Sequence, residues 1–362
     1  MLESSRTPAA DAARAAEVLG GMKDAEVQRM LKDKIKAQVR PNRHLITAYS
    51  RHDPQPADLA DIIFDAMSKR PSPILLADVL GLIGDLDPTP NWAESWLINS
   101  LGQKNYHAAR RSAADSLGKC GSAAAVDALI PLINDKVIGL EARSALTRLT
   151  GQEYWRDASG WTSWWATAKN GFQPAKLADV QLKPLVEKLD EADDMNLDFY
   201  GVKLEGQHIL FLLDSSGSMQ GARIETLKRE LRGLLHSMDE SYQFGMVLFP
   251  MDKFPSRGIE PATEKFKEKA YRFIDRMSAA GGTPLTDAVE YAFEKVIEEH
   301  NVDTIYILTD GAPSKPEEDV RIMIQDYNEM ALSRIHTISI GQDSDFLMNV
   351  AIDNGGNYAE VQ

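Results

Sequence analysis

Residues 208–219, HILFLLDSSGSM, place an almost unbroken apolar run directly before an Asp and three closely spaced Ser. An apolar run of this length, ended by polar turn residues, predicts a strand that is buried on both faces of a sheet. Strands and helices are predicted to alternate from there on, as in a doubly wound (Rossmann-like) α/β sheet. The predicted strands cover 208–213, 243–249, 303–309, 335–340 and 357–361, and the predicted helices lie near 222–238, 264–277, 284–299, 317–332 and 344–352. Shorter strands are predicted at 196–204 and, at the sheet edge, near 258–262.

The polar cluster after the first strand predicts a cation site. Asp214, Ser216 and Ser218 end that strand and precede a helix, so they lie at the carboxyl edge of the sheet, where open α/β folds bind ligands. Thr283 lies in the loop GGTPL before a predicted helix, and Asp310 follows the predicted strand that ends in ILT. Both are therefore expected at the same edge of the sheet. Because Mg²⁺ takes about six oxygen ligands, we predict that these five side chains bind Mg²⁺ or Mn²⁺. Ca²⁺ is disfavoured because the set contains few carboxylates.

The same residues have a second interpretation that needs no metal. Ser often caps the helix that follows it, and Asp often begins a turn. Each of the three segments, taken alone, favours such a cap or turn. Capping does not explain why all three segments fall at one edge of one sheet, so the metal site is the preferred interpretation.

The combination of DxSxS, a distant Thr in a GGT loop and TDG after a strand resembles the metal-ion-dependent adhesion site of von Willebrand factor A (VWA) domains. The resemblance covers residues 197–362 and implies that Ser216, Ser218 and, in some states, Thr283 coordinate directly. It implies that Asp214 and Asp310 act directly or through water. Larger family members continue into a terminal helix, whereas this sequence ends at Gln362 after NYAEVQ. A constitutive binding module is therefore expected, or a groove filled by a helix near 182–189.

The first half of the sequence predicts helix hairpins that repeat. ADVLGLIG at 77–84 matches ADSLGKCG at 114–121, and RSAADSL at 111–117 matches RSALTRL at 143–149. Repeats at this spacing are typical of an α-solenoid, in which each hairpin is buried only by its neighbours. The predicted interface positions are Ala113, Ala114, Leu117, Ala145 and Leu149, with Gly118 and Gly121 at a helix exit. The pattern resembles short bacterial HEAT-type repeats over about residues 30–170, which implies a second protein-binding surface.

Two features of the helical half are predicted to be structural. Trp161, Trp164 and Trp165 fall on one helical face and are predicted to cap the open end of the solenoid rather than to stack a ligand. Cys120 aligns with Ile83 of the earlier repeat, which predicts a structural thiol. The predicted domains are therefore a HEAT-like helical domain with a Trp-rich cap at 1–172, a linker at 173–196 and a VWA domain at 197–362.

Charge and motifs narrow the function classes. The net charge is −14, and the acidity belongs to the second half, which has 19 basic and 34 acidic residues after Phe172. This balance argues against binding of nucleic acid, whose phosphates attract basic surfaces. The sequence contains none of the GxSxG, HExxH, CxxC or P-loop motifs that would indicate an enzyme. A non-enzymatic adaptor is preferred, in which the cation captures an Asp or Glu of a protein partner.

Two alternatives stay open, namely an RNA-binding protein with the Ro-like arrangement of repeats and a VWA domain, and a VWA subunit of a metal-insertion or AAA+ remodelling complex. The sequence contains no apolar segment of membrane-spanning length and no signal peptide at its start. The expected location is cytoplasmic for the sequence as it stands, and extracytoplasmic if a leader has been removed.

Overall fold

The computed structural model describes residues 9–38, 42–102, 104, 106–154, 156–175, 197–250 and 252–361. The chain divides into two compact units, Met1–Leu185 and Val186–Gln362. Most of the predicted linker, 173–196, and the whole helix predicted near 182–189 lie outside the described residues. The domain boundaries given above therefore stay predictions.

The first unit consists of helices and turns over its described residues. Its helices are α1 (Ala9–Gly21), α2 (Ala25–Ala37), α3 (Arg43–Ser50), α4 (Pro56–Ser68), α5 (Pro73–Ile83), α6 (Ala93–Ser100), α7 (His107–Cys120), α8 (Ala123–Leu129), α9 (Gly139–Thr150) and α10 (Ala158–Ala168). Ser, Asn and Asp cap several of these helices; for example, the Ser72 hydroxyl accepts the Leu75 N–H at the start of α5.

The repeated segments form helices that pack side by side. In α7, the Ser116 hydroxyl donates to the Leu80 carbonyl of α5 at 2.7 Å. On its other side, a Cβ on Gly118 would lie 2.8 Å from Ala145 Cα of α9. Gly118 therefore lies inside α7 and permits a close helix approach, which corrects its predicted place at a helix exit; Gly121 does follow the helix. The five predicted interface residues, Ala113, Ala114, Leu117, Ala145 and Leu149, are all buried.

The aromatic cluster lies on α10. Trp161 and Trp165 are buried and Trp164 is half-buried. The Trp165 indole N–H donates to Asp127 Oδ1 of α8 at 2.7 Å, and the Trp165 ring meets Phe172 edge-on at 5.1 Å. These contacts give the rings packing partners within the first unit.

Cys120, at the end of α7, is a half-buried free thiol. Burial raises its pKa to about 11. A thiol with so high a pKa is almost entirely protonated at neutral pH and is a poor nucleophile.

The second unit contains a mainly parallel sheet flanked by helices. Its strands are β1 (Asp198–Phe199), β2 (Val202–Lys203), β3 (His208–Asp214), β4 (Gln243–Phe249), β5 (Asp252–Phe254), β6 (Glu260–Pro261), β7 (Thr304–Thr309), β8 (Arg334–Ile340) and β9 (Tyr358–Val361). Its helices are α11 (Ala222–Ser237), α12 (Glu264–Arg276), α13 (Leu285–Ala292), α14 (Glu298–His300), α15 (Glu317–Ala331) and α16 (Asp345–Asp353). The main sheet has the order β5-β4-β3-β7-β8-β9, and β6 also pairs with β4.

The sheet is buried on both faces, as the apolar run at 208–213 predicts. Ile209, Phe211 and Leu213 pack into one core with α11 and α12. Leu210 and Leu212 point the other way, into a second core with α13, α15 and α16. This alternation follows from the two-residue period of a strand, and it confirms the predicted doubly wound fold after a helical first half.

Three local features differ from prediction. The segment 196–204 is not one strand, because Tyr200 and Gly201 both have positive φ and turn the chain back between β1 and β2. Strand β5 was not predicted; it pairs antiparallel with β4. A wide π-turn at Phe293–Ile297 interrupts the helix predicted at 284–299.

Candidate metal centre

The candidate site lies at the carboxyl ends of two neighbouring strands. Strands β3 and β7 are parallel partners, with Leu213 opposite Leu308. Asp214 ends β3, while Thr309 ends β7 and Asp310 follows it. The Thr309 hydroxyl donates to Asp214 Oδ2 at 2.6 Å and thereby joins the two strand ends.

The loop after β3 folds its hydroxyls toward Asp310. The backbone N–H of Ser216 donates to Asp214 Oδ1 at 2.7 Å, and a single 3-10 turn follows at Gly217–Met219. The Ser216 and Ser218 Oγ atoms are 2.9 Å apart and share a hydrogen bond. The Ser218 hydroxyl then donates to Asp310 Oδ1 at 2.7 Å. Four of the five predicted ligands are thus in direct contact with one another.

The GGT loop is held against the same turn by its backbone. The Gly217 N–H donates to the Gly281 carbonyl at 3.0 Å, and the Ala280 N–H donates to the Ser215 carbonyl at 2.8 Å. Gly281 has φ +82°, and a Cβ there would lie 2.8 Å from Pro250 Cγ, so a larger residue would be strained.

Thr283, the fifth predicted ligand, stands beside the other four. Its Oγ1 would lie 4.0 Å from a Cβ built on Gly311, the residue after Asp310. Its carbonyl accepts from the Ser314 hydroxyl at 3.0 Å, which fixes the backbone at this point. Among the described contacts, no hydrogen bond uses the Thr283 hydroxyl, so this oxygen stands outside the chain of bonds from Ser216 to Asp310.

Burial gives the site an unusual charge environment. Asp214 is fully buried and Ser216 nearly so, whereas Ser218 is exposed, so the cluster opens to solvent at Ser218. Burial raises the pKa of Asp214, although the hydrogen bonds from Thr309 and Ser216 oppose this effect. A buried carboxylate is costly unless positive charge or hydrogen bonds compensate it. The site therefore favours a cation that can replace the lost water.

The donor set fits a hard divalent cation. Neighbouring ligands of an octahedral ion with bonds of about 2.1 Å lie about 3 Å apart. The Ser216–Ser218 and Ser218–Asp310 oxygen pairs are separated by 2.9 and 2.7 Å. No group of three or more His, Cys, Asp or Glu suited to a metal occurs among the residues that the structure describes. The candidate set therefore relies on hydroxyls, which suit Mg²⁺ better than a soft metal.

Two residues of the cluster were not predicted from the sequence. The Thr309 hydroxyl donates to Asp214. The position of Thr309 directly before Asp310 is the sequence signal that could have predicted its place in the cluster. Arg223, in the first turn of α11, donates from Nη1 to Asp310 Oδ2 at 2.5 Å and to the Ser218 carbonyl at 3.3 Å. The available signal was its place in the first turn of the helix that follows the loop containing Ser218.

Comparisons with known proteins agree with this architecture. Residues 207–359 match the family model of the von Willebrand factor type A domain, and residues 109–135 match that of the PBS lyase HEAT-like repeat. The chain is 29% identical over 169 residues to human inter-alpha-trypsin inhibitor heavy chain H4, covering 43% of this chain and 18% of that protein. It is 24% identical over 159 residues to the uncharacterized protein sll0103 of Synechocystis, covering 43% of this chain and 37% of that protein.

Solved structures also resemble the chain. A von Willebrand factor type A protein from Catenulispora acidiphila has a TM-score of 0.38 and 17% identity, covering 44% of this chain and 40% of that one. Proximal thread matrix protein 1 from the mussel byssus, with a zinc-occupied MIDAS motif, has a TM-score of 0.35 and 20% identity, covering 42% and 41%.

The chain spans 18% of the length of human heavy chain H4, so the match concerns one segment of that relative. No helix in the described part of the chain is long and apolar enough to cross a membrane. The chain therefore has a helical region, part of which matches a HEAT-like repeat, followed by an α/β sheet domain that is similar to von Willebrand factor type A domains.

Proposed function

We propose that the second unit binds Mg²⁺ or Mn²⁺ at the carboxyl ends of β3 and β7. Ser216 and Ser218, with Thr283 in some states, would bind the ion directly, and Asp214 and Asp310 would hold it directly or through water. The single observation that carries this proposal is the chain of oxygens from Ser216 through Ser218 to Asp310, at 2.9 and 2.7 Å. These are separations suited to the edges of an octahedral ion.

The partner group would be a carboxylate. When bound, the cation supplies an electrophilic position for an oxygen ligand from outside the chain. Three of the five protein ligands are neutral hydroxyls, so the ion remains electrophilic toward a further oxygen ligand. The exposure of Ser218 leaves that side of the cluster open to a protein surface. The ligand we propose is therefore an Asp or Glu side chain of a protein partner.

The whole chain would act as a non-enzymatic adaptor. Among the hydrogen bonds described for the cluster, none involves a His or Lys that could accept a proton, and Asp214 is held by two of these bonds. The packed helices α5, α7 and α9 form a regular array of the kind that repeat proteins use to bind other proteins. We propose that this helical surface supports a second protein contact.

Titration calorimetry with Mg²⁺ and Mn²⁺ tests the metal site. The full chain should bind one equivalent of either ion, and Asp214→Ala should abolish the heat of binding because it removes the carboxylate buried beneath the site. Glu240→Ala is the matched control, because Glu240 is an exposed carboxylate of the same unit, away from the cluster. It should bind both ions like the unaltered chain.

Three outcomes of the calorimetry would contradict the metal site. If the unaltered chain does not bind either ion at millimolar concentration, or if Asp214→Ala binds equally well, Ser216 and Ser218 only cap the turn before α11. Binding that is lost equally in Glu240→Ala would indicate diffuse attraction by the acidic unit rather than a site.

A further inference from the structure

Arg223 is a charged partner of the candidate site. Its Nη1 atom donates to Asp310 Oδ2, while the Ser218 hydroxyl occupies Asp310 Oδ1. The Asp310 side chain is 0% exposed and that of Arg223 is 42% exposed, so the ion pair reaches from the buried cluster to the surface. Arg223 therefore lies where a partner must approach.

Gly341, which has no side chain, leaves space for the Arg223 guanidinium. A Cβ on Gly341 would lie 2.7 Å from Arg223 Nη2, so any side chain there would displace the arginine. The same Nη1 donates to the Ser218 carbonyl, which gives the guanidinium a second anchor on the loop after β3. No further acceptor for Nε or Nη2 is described among the residues of this structure. Since the Arg223 side chain is 42% exposed, these N–H groups can still donate to a ligand.

The charges of the cluster decide what the site can hold. Asp214 and Asp310 together contribute two negative charges, which a divalent cation alone would cancel. With Arg223 included, the occupied site carries one net positive charge. We infer that Arg223 sets this charge, so that the site binds its cation less tightly but binds an anionic carboxylate more tightly. This inference rests on the proposed cation site.

Hydrogen bonding supports the same role. Arg223 engages Asp310 Oδ2 and so competes with the cation for this oxygen. A ligand oxygen from outside then takes the coordination position that Asp310 would otherwise fill. Because guanidinium groups match carboxylates in a two-pronged geometry, the remaining N–H groups of Arg223 can bind the second oxygen of the same ligand. The structure thus favours a carboxylate, which is anionic and has two oxygens, over a neutral ligand.

Arg223→Gln and Arg223→Lys test the inference on the full chain. Free Mn²⁺ is measured by electron paramagnetic resonance, and acetate binding is measured by the fall in water-proton relaxation as acetate displaces water from the bound ion. We expect Arg223→Gln to bind Mn²⁺ about tenfold more tightly and acetate about tenfold more weakly, since one unit charge is removed from a partly buried site. Arg223→Lys keeps the charge but loses the two-pronged geometry, so it should bind Mn²⁺ within about threefold of the unaltered chain and acetate with an affinity between those of the unaltered chain and Arg223→Gln.

A control and the contrary outcomes complete the test. Arg229→Gln, on the same helix, removes a charge whose side chain is 71% exposed and should change neither affinity. If the unaltered chain binds Mn²⁺ but Arg223→Gln binds it equally or more weakly, or binds acetate equally well, the role of Arg223 is wrong while the metal site stands. The charge argument also fails if Arg223→Lys behaves like Arg223→Gln. If the unaltered chain binds no Mn²⁺, both proposals fail.

Discussion

Asp303 and Asp310 lie at opposite ends of β7 and are both buried, but their carboxylates are satisfied by different kinds of donor. At the amino end, Asp303 accepts hydrogen bonds from the backbone N–H groups of Gln207 at 3.1 Å and His208 at 2.9 Å. At the carboxyl end, Asp310 accepts from two side chains, Ser218 and Arg223. Backbone donors cannot leave without unfolding the strand, whereas a hydroxyl and a half-exposed guanidinium can rotate away.

This difference separates a structural carboxylate from an exchangeable one. The amino end also contains the ion pair between Arg334 and Glu205 at 2.8 Å, whose side chains are 7% and 12% exposed. Those groups fix the entry of β3 into the sheet. At the carboxyl end, the side-chain donors hold the oxygens in place and can give them up to a cation.

The largest expected effect comes from Asp303→Ala. The substitution leaves the N–H groups of Gln207 and His208 without this acceptor in a buried position, so we expect it to lower the free energy of unfolding by about 3 kcal/mol. Hydrogen exchange of the β3 and β7 amides measures the effect in the second unit. Tryptophan fluorescence reports on the first unit alone, because all six Trp residues lie within it.

Asp310→Ala makes the same change of charge and volume at the other end. We expect the free energy of unfolding of the cation-free protein to fall by no more than about 1 kcal/mol, since its donors can turn to water. Equal losses for the two variants would contradict the distinction between the two ends.

The next effect concerns pH. Burial raises the pKa of Asp214 in the folded protein above its value in the unfolded chain, which is about 3.9. The folded state therefore binds this proton more tightly, and the stabilisation is fully present below about pH 3.9 and is lost as pH rises through the folded pKa. Asp214→Asn resembles the protonated acid, so without cation it should be more stable than the unaltered chain at pH 7. The two should converge as pH falls toward 4.

Protons and cations should also compete for Asp214. Mn²⁺ affinity should fall as pH drops below the raised pKa, by up to about tenfold per pH unit for a single proton. Paramagnetic resonance titrations from neutral pH down toward pH 4 measure this slope. A stability gap between Asp214→Asn and the unaltered chain that is constant with pH, or an affinity that rises in acid, would contradict the electrostatic account.

Sequence alone predicts most of the second unit because its signals are local. The apolar run at 208–213 requires burial on both faces, and β3 matches it with one further residue, Asp214. The strand predicted at 196–204 failed because Tyr200 and Gly201 reverse the chain, and a Tyr at positive φ has no strong sequence signal. Strand β5 spans only three residues, too few for a hydrophobic period to appear.

The site also contains residues that the sequence predicts and others, such as Arg223, that it does not. The DxSxS and TDG motifs locate Asp214, Ser216, Ser218 and Asp310 because each follows directly from a strand end. Arg223 belongs to a helix, and its guanidinium lies beside Gly341 where it reaches Asp310. The spacing from Ser218 places Arg223 next to the loop, but it does not predict a partner 87 positions away in the sequence.

The most direct test of the account is hydrogen exchange of the β3 and β7 amides with and without Mg²⁺. At about one hundred times its dissociation constant, Mg²⁺ should raise the free energy of opening of these amides by about 2.7 kcal/mol in the unaltered chain. In Asp214→Asn the increase should disappear. If the unaltered chain shows equal protection with and without Mg²⁺, or if the variant gains as much as the unaltered chain, the carboxyl end of the sheet is not a cation site.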